Sequence, residues 1–244
     1  MTSGEVDAYL GHSQGVILPV GSIEQHGNMG LLGTDALCAE HISLLAAGDA
    51  GAIVAPALSY TPAQFNMSFA GTVSVPAKVF SSYFESILIA FGEQGFSRIY
   101  VLNAHGANLA PMEVAMHDVY GQKKDDAPLI RIRSWWEFDE VNALRDKYYG
   151  KREGLHGTPS EIAITQYTDR VIQCDSPPAY RELSKEYIRD HGGDKHLPAS
   201  MHRLQFPDGQ VGSDPTLATA EQGKQLLQTA ASAVARDYRE FVTF

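Results

Sequence analysis

Short apolar runs alternate along the chain with longer stretches of helical periodicity. Gly15–Val20 (GVILPV), Ala52–Pro56 (AIVAP), Arg98–Leu102 (RIYVL) and Pro128–Arg133 (PLIRIR) have the length and apolar content of buried strands. Ala36–Ala47, Lys78–Gln94, Ala110–Tyr120, Trp136–Tyr148, Pro159–Tyr167 and Ala218–Phe241 read as helices. This alternation predicts βαβ units, and so an α/β fold with a mainly parallel central sheet flanked by helices. From Ser176 to Pro215 the chain is rich in Pro, Gly and charge, with one short helix expected around Leu183–Asp190. Such a surface excursion often helps to build a site or a subunit contact. No repeat, low-complexity tract or linker divides the 244 residues, so a single domain spanning 1–244 is expected.

The polar residues that interrupt this pattern fall where chemistry is expected. After the first strand comes Gly21-Ser22-Ile23-Glu24-Gln25-His26-Gly27, then Gly33-Thr34-Asp35 at the mouth of a helix. The third strand runs into Asn103-Ala104-His105-Gly106-Ala107-Asn108, and Leu155-His156-Gly157-Thr158-Pro159-Ser160-Glu161 precedes another helix. In open parallel sheets, ligands sit beyond the carboxyl ends of the strands. Glu24 and His26, two apart in an extended segment, point to the same side. Three carboxylates (Glu24, Asp35, Glu161) and two imidazoles (His26, His105) suffice for two divalent ions with a bridging carboxylate. Such a pair lowers the pKa of a shared water toward about 7 and polarises a carbonyl, supplying the metal-bound hydroxide that attacks an amide. Mixed N/O ligation suits Zn²⁺ and Mn²⁺, with Fe²⁺ also possible.

Each of these residues also admits a plain structural role. Asp35 suits an N-cap. Thr158-Pro159-Ser160-Glu161 spells a capping box with Pro at the first helical position. His105 suits a turn histidine and His156 an exposed loop. The remaining histidines (His12, His41, His117, His191, His196, His202) read as surface or packing residues, although His191 and His196 could reach a neighbouring subunit's site. Trp135 and Trp136 read first as core, with a place in a pocket wall as the alternative. Cys38 falls in an apolar helix and reads as core.

Bulk properties narrow the partners. A net charge of −10 argues against a broad nucleic-acid footprint. Two cysteines, Cys38 and Cys174, suggest a reducing, cytoplasmic setting. The opening segment MTSGEVDAYLGHSQG lacks the features of a signal peptide, and no apolar run has membrane-spanning length. No G-x-G-x-x-G follows the first strand, which sets aside a dinucleotide-binding reading.

ILPVGSIEQHGNMGLLGTD (Ile17–Asp35) closely resembles the signature of the creatinine amidohydrolase (creatininase) family. LNAHGAN (Leu102–Asn108), HGTPSE (His156–Glu161) and GQVGSDPTLATAEQG (Gly209–Gly223) resemble its further motifs, so the likeness runs over nearly the whole chain. The resemblance implies a single-domain, three-layer α/β fold and a homo-oligomer, often a hexamer. It implies that Glu24, Asp35 and His105 hold one ion and His26, Asp35 and Glu161 the other, with His156 transferring protons beside them. The chain departs from the family pattern at Asn28-Met29, where members usually carry Pro-His, at Ala104 and Ala107 in the second motif, and at Gly157-Thr158 in the third. Creatininases proper carry a metal-binding Glu where Ala107 sits, so this chain is expected to differ from them in substrate. All these departures are expected to lie where a substrate touches. The expected activity is hydrolysis of a C–N bond in a small amide, such as a lactam or formamide. The alternatives are a short-peptide peptidase, a C–C hydrolase of a cyclic ketone, or a non-catalytic metal- or ligand-binding protein.

Overall fold

The structure is a computed structural model that describes residues 1–191 and 195–244. Its centre is a four-stranded, all-parallel sheet in the order β2-β1-β3-β4. The strands are β1 (Gly15–Val20), β2 (Ile53–Val54), β3 (Arg98–Asn103) and β4 (Leu129–Ser134). Around them run α1 (Ser3–Leu10), α2 (Thr34–Ala50), α3 (Ala77–Glu93), α4 (Leu109–Lys123), α5 (Asp139–Tyr148), α6 (Pro159–Thr168), α7 (Lys185–His191), α8 (Ala199–Gln205) and α9 (Ala220–Thr243).

Strand periodicity of two divides the core between the two faces of the sheet. Ile17, Tyr100 and Leu102 pack with buried residues of α2, α5, α6 and α9, including Ile42, Val141, Ile164 and Val234. Val16, Leu18, Val20, Ile99 and Val101 pack on the other face with Tyr9 of α1, Phe80, Phe84 and Leu88 of α3, and Met112 and Val119 of α4. The molecule is therefore the expected three-layer α/β sandwich, with β1 and β3 buried on both faces.

Several boundaries differ from expectation, each for a local reason. Ala52–Pro56 contributes only Ile53 and Val54 to the ladder, since Pro56 has no N–H to donate and the edge then loosens into single contacts such as Leu58 N to Pro19 O (3.0 Å). That contact also explains how Pro19 is tolerated in an interior strand: its nitrogen faces the side where β2 has already ended. α5 begins at Asp139 instead of Trp136, because Trp135–Glu137 forms a separate 3₁₀ turn. α1 was not expected; a capping box between Thr2 and Glu5 starts it, and it buries little beyond Tyr9. In the excursion, α7 falls close to the expected helix and α8 is additional. Residues 192–194 of that excursion lie outside the described residues.

α6 and α9 cross at very close range. A Cβ added to Gly223 would stand 1.8 Å from the Ala163 carbonyl oxygen, so no larger residue fits without separating the helices. Gly223→Ala should therefore destabilise the protein by about 1–3 kcal/mol, the usual cost of overpacking. That corresponds to a melting temperature lowered by several degrees, at about 2–4 °C per kcal/mol for this chain length. Gly121→Ala, in α4 where nothing lies within 4 Å, should be neutral or stabilising. Thermal unfolding of the two variants checks this, and equal melting temperatures would contradict the close crossing.

Candidate metal centre

The carboxyl ends of β1 and β3 open toward the same side as the first turns of α2 and α6. Glu24 and His26 follow β1, His105 follows β3, Asp35 lies in the first turn of α2, and Glu161 in the first turn of α6. α2 comes this close because residue 21 is glycine: a Cβ there would lie 2.3 Å from the Ala36 nitrogen. Two carboxylates thus occupy the positive ends of helix dipoles, where negative charge is favoured. All five side chains are buried or nearly so, and so is His156, on the loop before α6.

The imidazoles share one arrangement. His105 Nε2–H donates to the Pro62 carbonyl (2.8 Å), which leaves Nδ1 facing Asp35 Oδ2 at 3.1 Å and Glu24 Oε1 at 3.2 Å. His26 Nδ1–H donates to the Glu24 carbonyl (3.1 Å), and its Nε2 faces Asp35 Oδ1 at 2.9 Å and Glu161 Oε1 at 3.8 Å. His156 Nε2 makes its shortest contact, 2.6 Å, with the Gln25 carbonyl, which places the proton there and turns Nδ1 toward Glu24 Oε1 at 3.4 Å. One nitrogen tied to a main-chain carbonyl and the other aimed at acidic oxygens is the arrangement of histidines that ligate metals.

Electrostatics among these groups is strong. Burial pushes the His26 imidazolium down, yet Asp35 and Glu161 outweigh it and hold the group up at about 10. His105 is likewise raised against its burial by Glu24 and Asp35. Burial opposes ionisation of Asp35 and Glu24 too, but the imidazoles prevail and both carboxyls lie below their ordinary values. Glu161 is raised to about 7, because its burial exceeds the pull of His26. For His156 burial outweighs the attraction of Glu24 and lowers it to about 4, so this imidazole is neutral at physiological pH. Glu24 Oε1 and Asp35 Oδ2 are buried and accept no hydrogen bond. Anionic oxygens without a hydrogen bond, facing ring nitrogens whose protons a dication would displace, fit a divalent cation well.

Three sets of ligand atoms lie within 4.8 Å of one another: Glu24/Asp35/His105, His26/Asp35/Glu161 and Glu24/His26/His156. The first two coincide with the sets expected from the motif resemblance, with Asp35 common to both. The third adds His156 to the possible ligands, a role not anticipated for it. Glu161 does not have to choose between its two readings. Its Oε1 accepts from Thr158 N (2.5 Å) in a complete capping box, and the same oxygen faces His26.

A cavity of about 360 Å³ opens beside the cluster, within the range of small-molecule sites. Trp135 and Trp136 both line it, so the pocket-wall reading applies to the pair, although Trp135 also belongs to the core. His191 and His196 also line this chain's own cavity, and His196 packs on Phe65 with ring centroids 3.6 Å apart. His202 is buried as a packing residue, and Cys38 is core as expected. Among the departures from the family pattern, Ala104 and Thr158 line this cavity and Ala107 an adjoining one. Asn28 and Met29 line neither, contrary to expectation, since the chain there turns toward the outside.

Sequence reasoning overlooked Gln25, Asn66 and Phe65. Asn66 Nδ2 donates to Glu24 Oε2 (2.9 Å) and its Oδ1 accepts from Gln25 Nε2 (2.9 Å), fixing the carboxylate that the imidazoles face. Phe65 stacks on His105 at 6.3 Å. Both Phe65 and Asn66 sit in a single 3₁₀ turn of the loop before α3, where no pattern marks them.

A three-layer α/β scaffold with a buried carboxylate–imidazole cluster at its strand ends defines a candidate metallohydrolase class, and comparison with known proteins narrows it. A family model described as creatinine amidohydrolase matches residues 1–237. The chain belongs to the creatininase family, whose members are hydrolases. It is 26% identical to a 3-dehydro-scyllo-inosose hydrolase of Thermotoga maritima, over 92% of this chain and 76% of that protein. It is 28% identical to a mycofactocin precursor peptide peptidase of Mycolicibacterium smegmatis (87% and 79%) and 24% identical to a creatinine amidohydrolase of Pseudomonas putida (92% and 88%). A creatininase crystal structure superposes with a TM-score of 0.75 at 23% identity, covering 99% of this chain and 96% of that one. Similar structures include a mutant creatininase of Zn-Zn type (TM-score 0.77, 21% identity, 99% and 96%) and a creatininase Mn structure (TM-score 0.75, 23% identity, 99% and 96%).

The two readings of Glu161 yield a direct test. Glu161→Gln keeps the capping box, because Gln serves at that position, but removes a carboxylate that faces His26. The variant should stay folded and bind about one divalent ion per chain where two are expected for the parent, as measured by elemental analysis. Asp35→Ala should lose both. A Glu161→Gln protein that retains two ions would restrict Glu161 to its capping role.

Proposed function

We propose that the chain is a two-metal amidohydrolase that opens the C–N bond of a small amide, a lactam or formamide being the form that suits the cavity. The observation that carries this reading is the common orientation of His26 and His105, each with one ring nitrogen on a main-chain carbonyl and the other on buried carboxylates. Glu24, Asp35 and His105 would hold one cation and His26, Asp35 and Glu161 the other, and Zn²⁺ or Mn²⁺ suits these donors. Bound there, the pair would acidify a water and polarise the scissile carbonyl.

The remaining steps fall to the chain itself. Asn66 and the Pro62 carbonyl keep Glu24 and His105 in place, so that no side chain must reorganise during reaction. Trp135, Trp136 and Leu155 form an apolar wall that packs the substrate and excludes water. His156 carries a bare Nδ1 and is neutral, so it can take a proton at that atom and hand it to the departing nitrogen. This proton traffic distinguishes an enzyme from a protein that merely retains metal.

A second reading, hydrolysis of a short peptide, draws on the peptidase relative and on one feature of the surface. A further cavity of about 640 Å³ adjoins the first and shares Phe65, Gly106, Leu109 and His196 with it, leaving room for an extended substrate.

Lactams, formamides and short peptides offered to the Zn²⁺- or Mn²⁺-loaded protein will show which bond is cut. Turnover should vanish on exhaustive chelation and return with the metal. His156→Ala should keep its two ions and lose roughly 10²–10⁴ in rate, the usual size of a general acid–base contribution. Loss of an ion in that variant would make His156 a ligand, and full turnover of metal-free protein would overturn the proposal.

A further inference from the structure

Among the described residues lining the main cavity, Arg145 is the one with a permanent positive charge. It projects from α5, and three neighbours hold its guanidinium. Nε donates to Glu153 Oε1 (2.9 Å), Nη1 donates to Asn142 Oδ1 (2.7 Å), and the group lies 5.8 Å from the ring centre of Trp135. Glu153 is itself buried and accepts a hydrogen bond from Ser160 Oγ, so the carboxylate that steers Arg145 is fixed at the start of α6. Nη2 makes no hydrogen bond to a described residue, and the guanidinium fork is thereby left with donors to spare. Beside it, the buried indole N–H of Trp135 has no hydrogen-bond partner. A cation needed only to neutralise Glu153 would have no reason to reach a substrate cavity, nor to stand beside a second unused donor.

We propose that Arg145 and the Trp135 indole form an anion subsite, and that the substrate carries a carboxylate or an equivalent planar oxyanion on the side away from the reacting amide. This assignment rests on the amidohydrolase reading above. An arginine held by a buried carboxylate and an aromatic ring loses little freedom when an anion docks. It can also pair with a carboxylate through two parallel N–H···O bonds, which makes it selective as well as attractive.

The test uses the Zn²⁺-loaded protein and two kinds of ligand measured by calorimetry. Acetohydroxamate reports metal-directed binding alone. The monohydroxamates of malonate, succinate and glutarate carry the same metal-binding group with a carboxylate at increasing reach. At least one of the three should bind roughly tenfold tighter than acetohydroxamate, the scale of a charge-assisted, bidentate contact. Arg145→Met alone would strand Glu153, so the variant of choice combines it with Glu153→Gln. That double variant should bind acetohydroxamate as the parent does and lose the advantage of the carboxylate. Arg145→Lys should lose most of it as well, because an ammonium offers no fork. Equal binding of all four ligands by the parent, or an advantage that survives in the double variant, would overturn the subsite. Failure of acetohydroxamate itself to bind would defeat the metal reading and the subsite with it, in a pattern distinct from either.

Discussion

Three carboxylates buried within a few ångströms of one another are the constraint around which this protein is organised. Removing even one anionic carboxylate from water is expensive unless it is paired, and three together repel one another as well. The fold meets that cost from several directions. Asp35 and Glu161 sit at helix N-termini, and Asn66 donates to Glu24. His26 and His105 stand close enough to be held protonated by the carboxylates around them. Glu24 Oε1 and Asp35 Oδ2 still accept no hydrogen bond, and both face His105 Nδ1, whose proton a bound cation would displace. A folding sequence with no use for a cation has simpler ways to end a strand.

The scaffold around the cluster follows from the same need. Parallel strands deliver their carboxyl ends to one side, and short turns place Glu24, His26 and His105 there. Gly21 lets the first turn of α2 close in with Asp35, while the tight crossing of α6 and α9 sets α6 and its Glu161 against the sheet layer. The two aromatic residues after β4 complete one wall of the cavity. The wall and the carboxylate–imidazole cluster therefore come from different segments of the chain.

Much of this was legible beforehand, because strands and ligands both leave local traces. GVILPV and RIYVL announce buried strands, and a Glu-x-His pair directly after the first of them announces chemistry at a strand end. Glu161 was legible in two ways at once, as capping box and as site carboxylate, and the structure joins the two readings. What stayed hidden depends on contacts between distant segments. Phe65 and Asn66 lie in a loop whose composition is unremarkable, and Arg145 resembles any solvated arginine on an amphipathic helix. His191 and His196 belong to an excursion whose path over the cavity no periodicity describes. The short β2 was overestimated because apolar content does not reveal where an edge strand leaves its partner.

The central claim is that the cluster is built for two cations sharing Asp35. Anomalous diffraction from crystals grown with Mn²⁺, recorded on both sides of the manganese absorption edge, tests it most directly. The account predicts two anomalous peaks about 3.5–4 Å apart, with Asp35 between them, one reached by Glu24 and His105 and the other by His26 and Glu161. A protein that crystallises with the six side chains as described but shows no anomalous density among them, even at high Mn²⁺ or Zn²⁺, would contradict it.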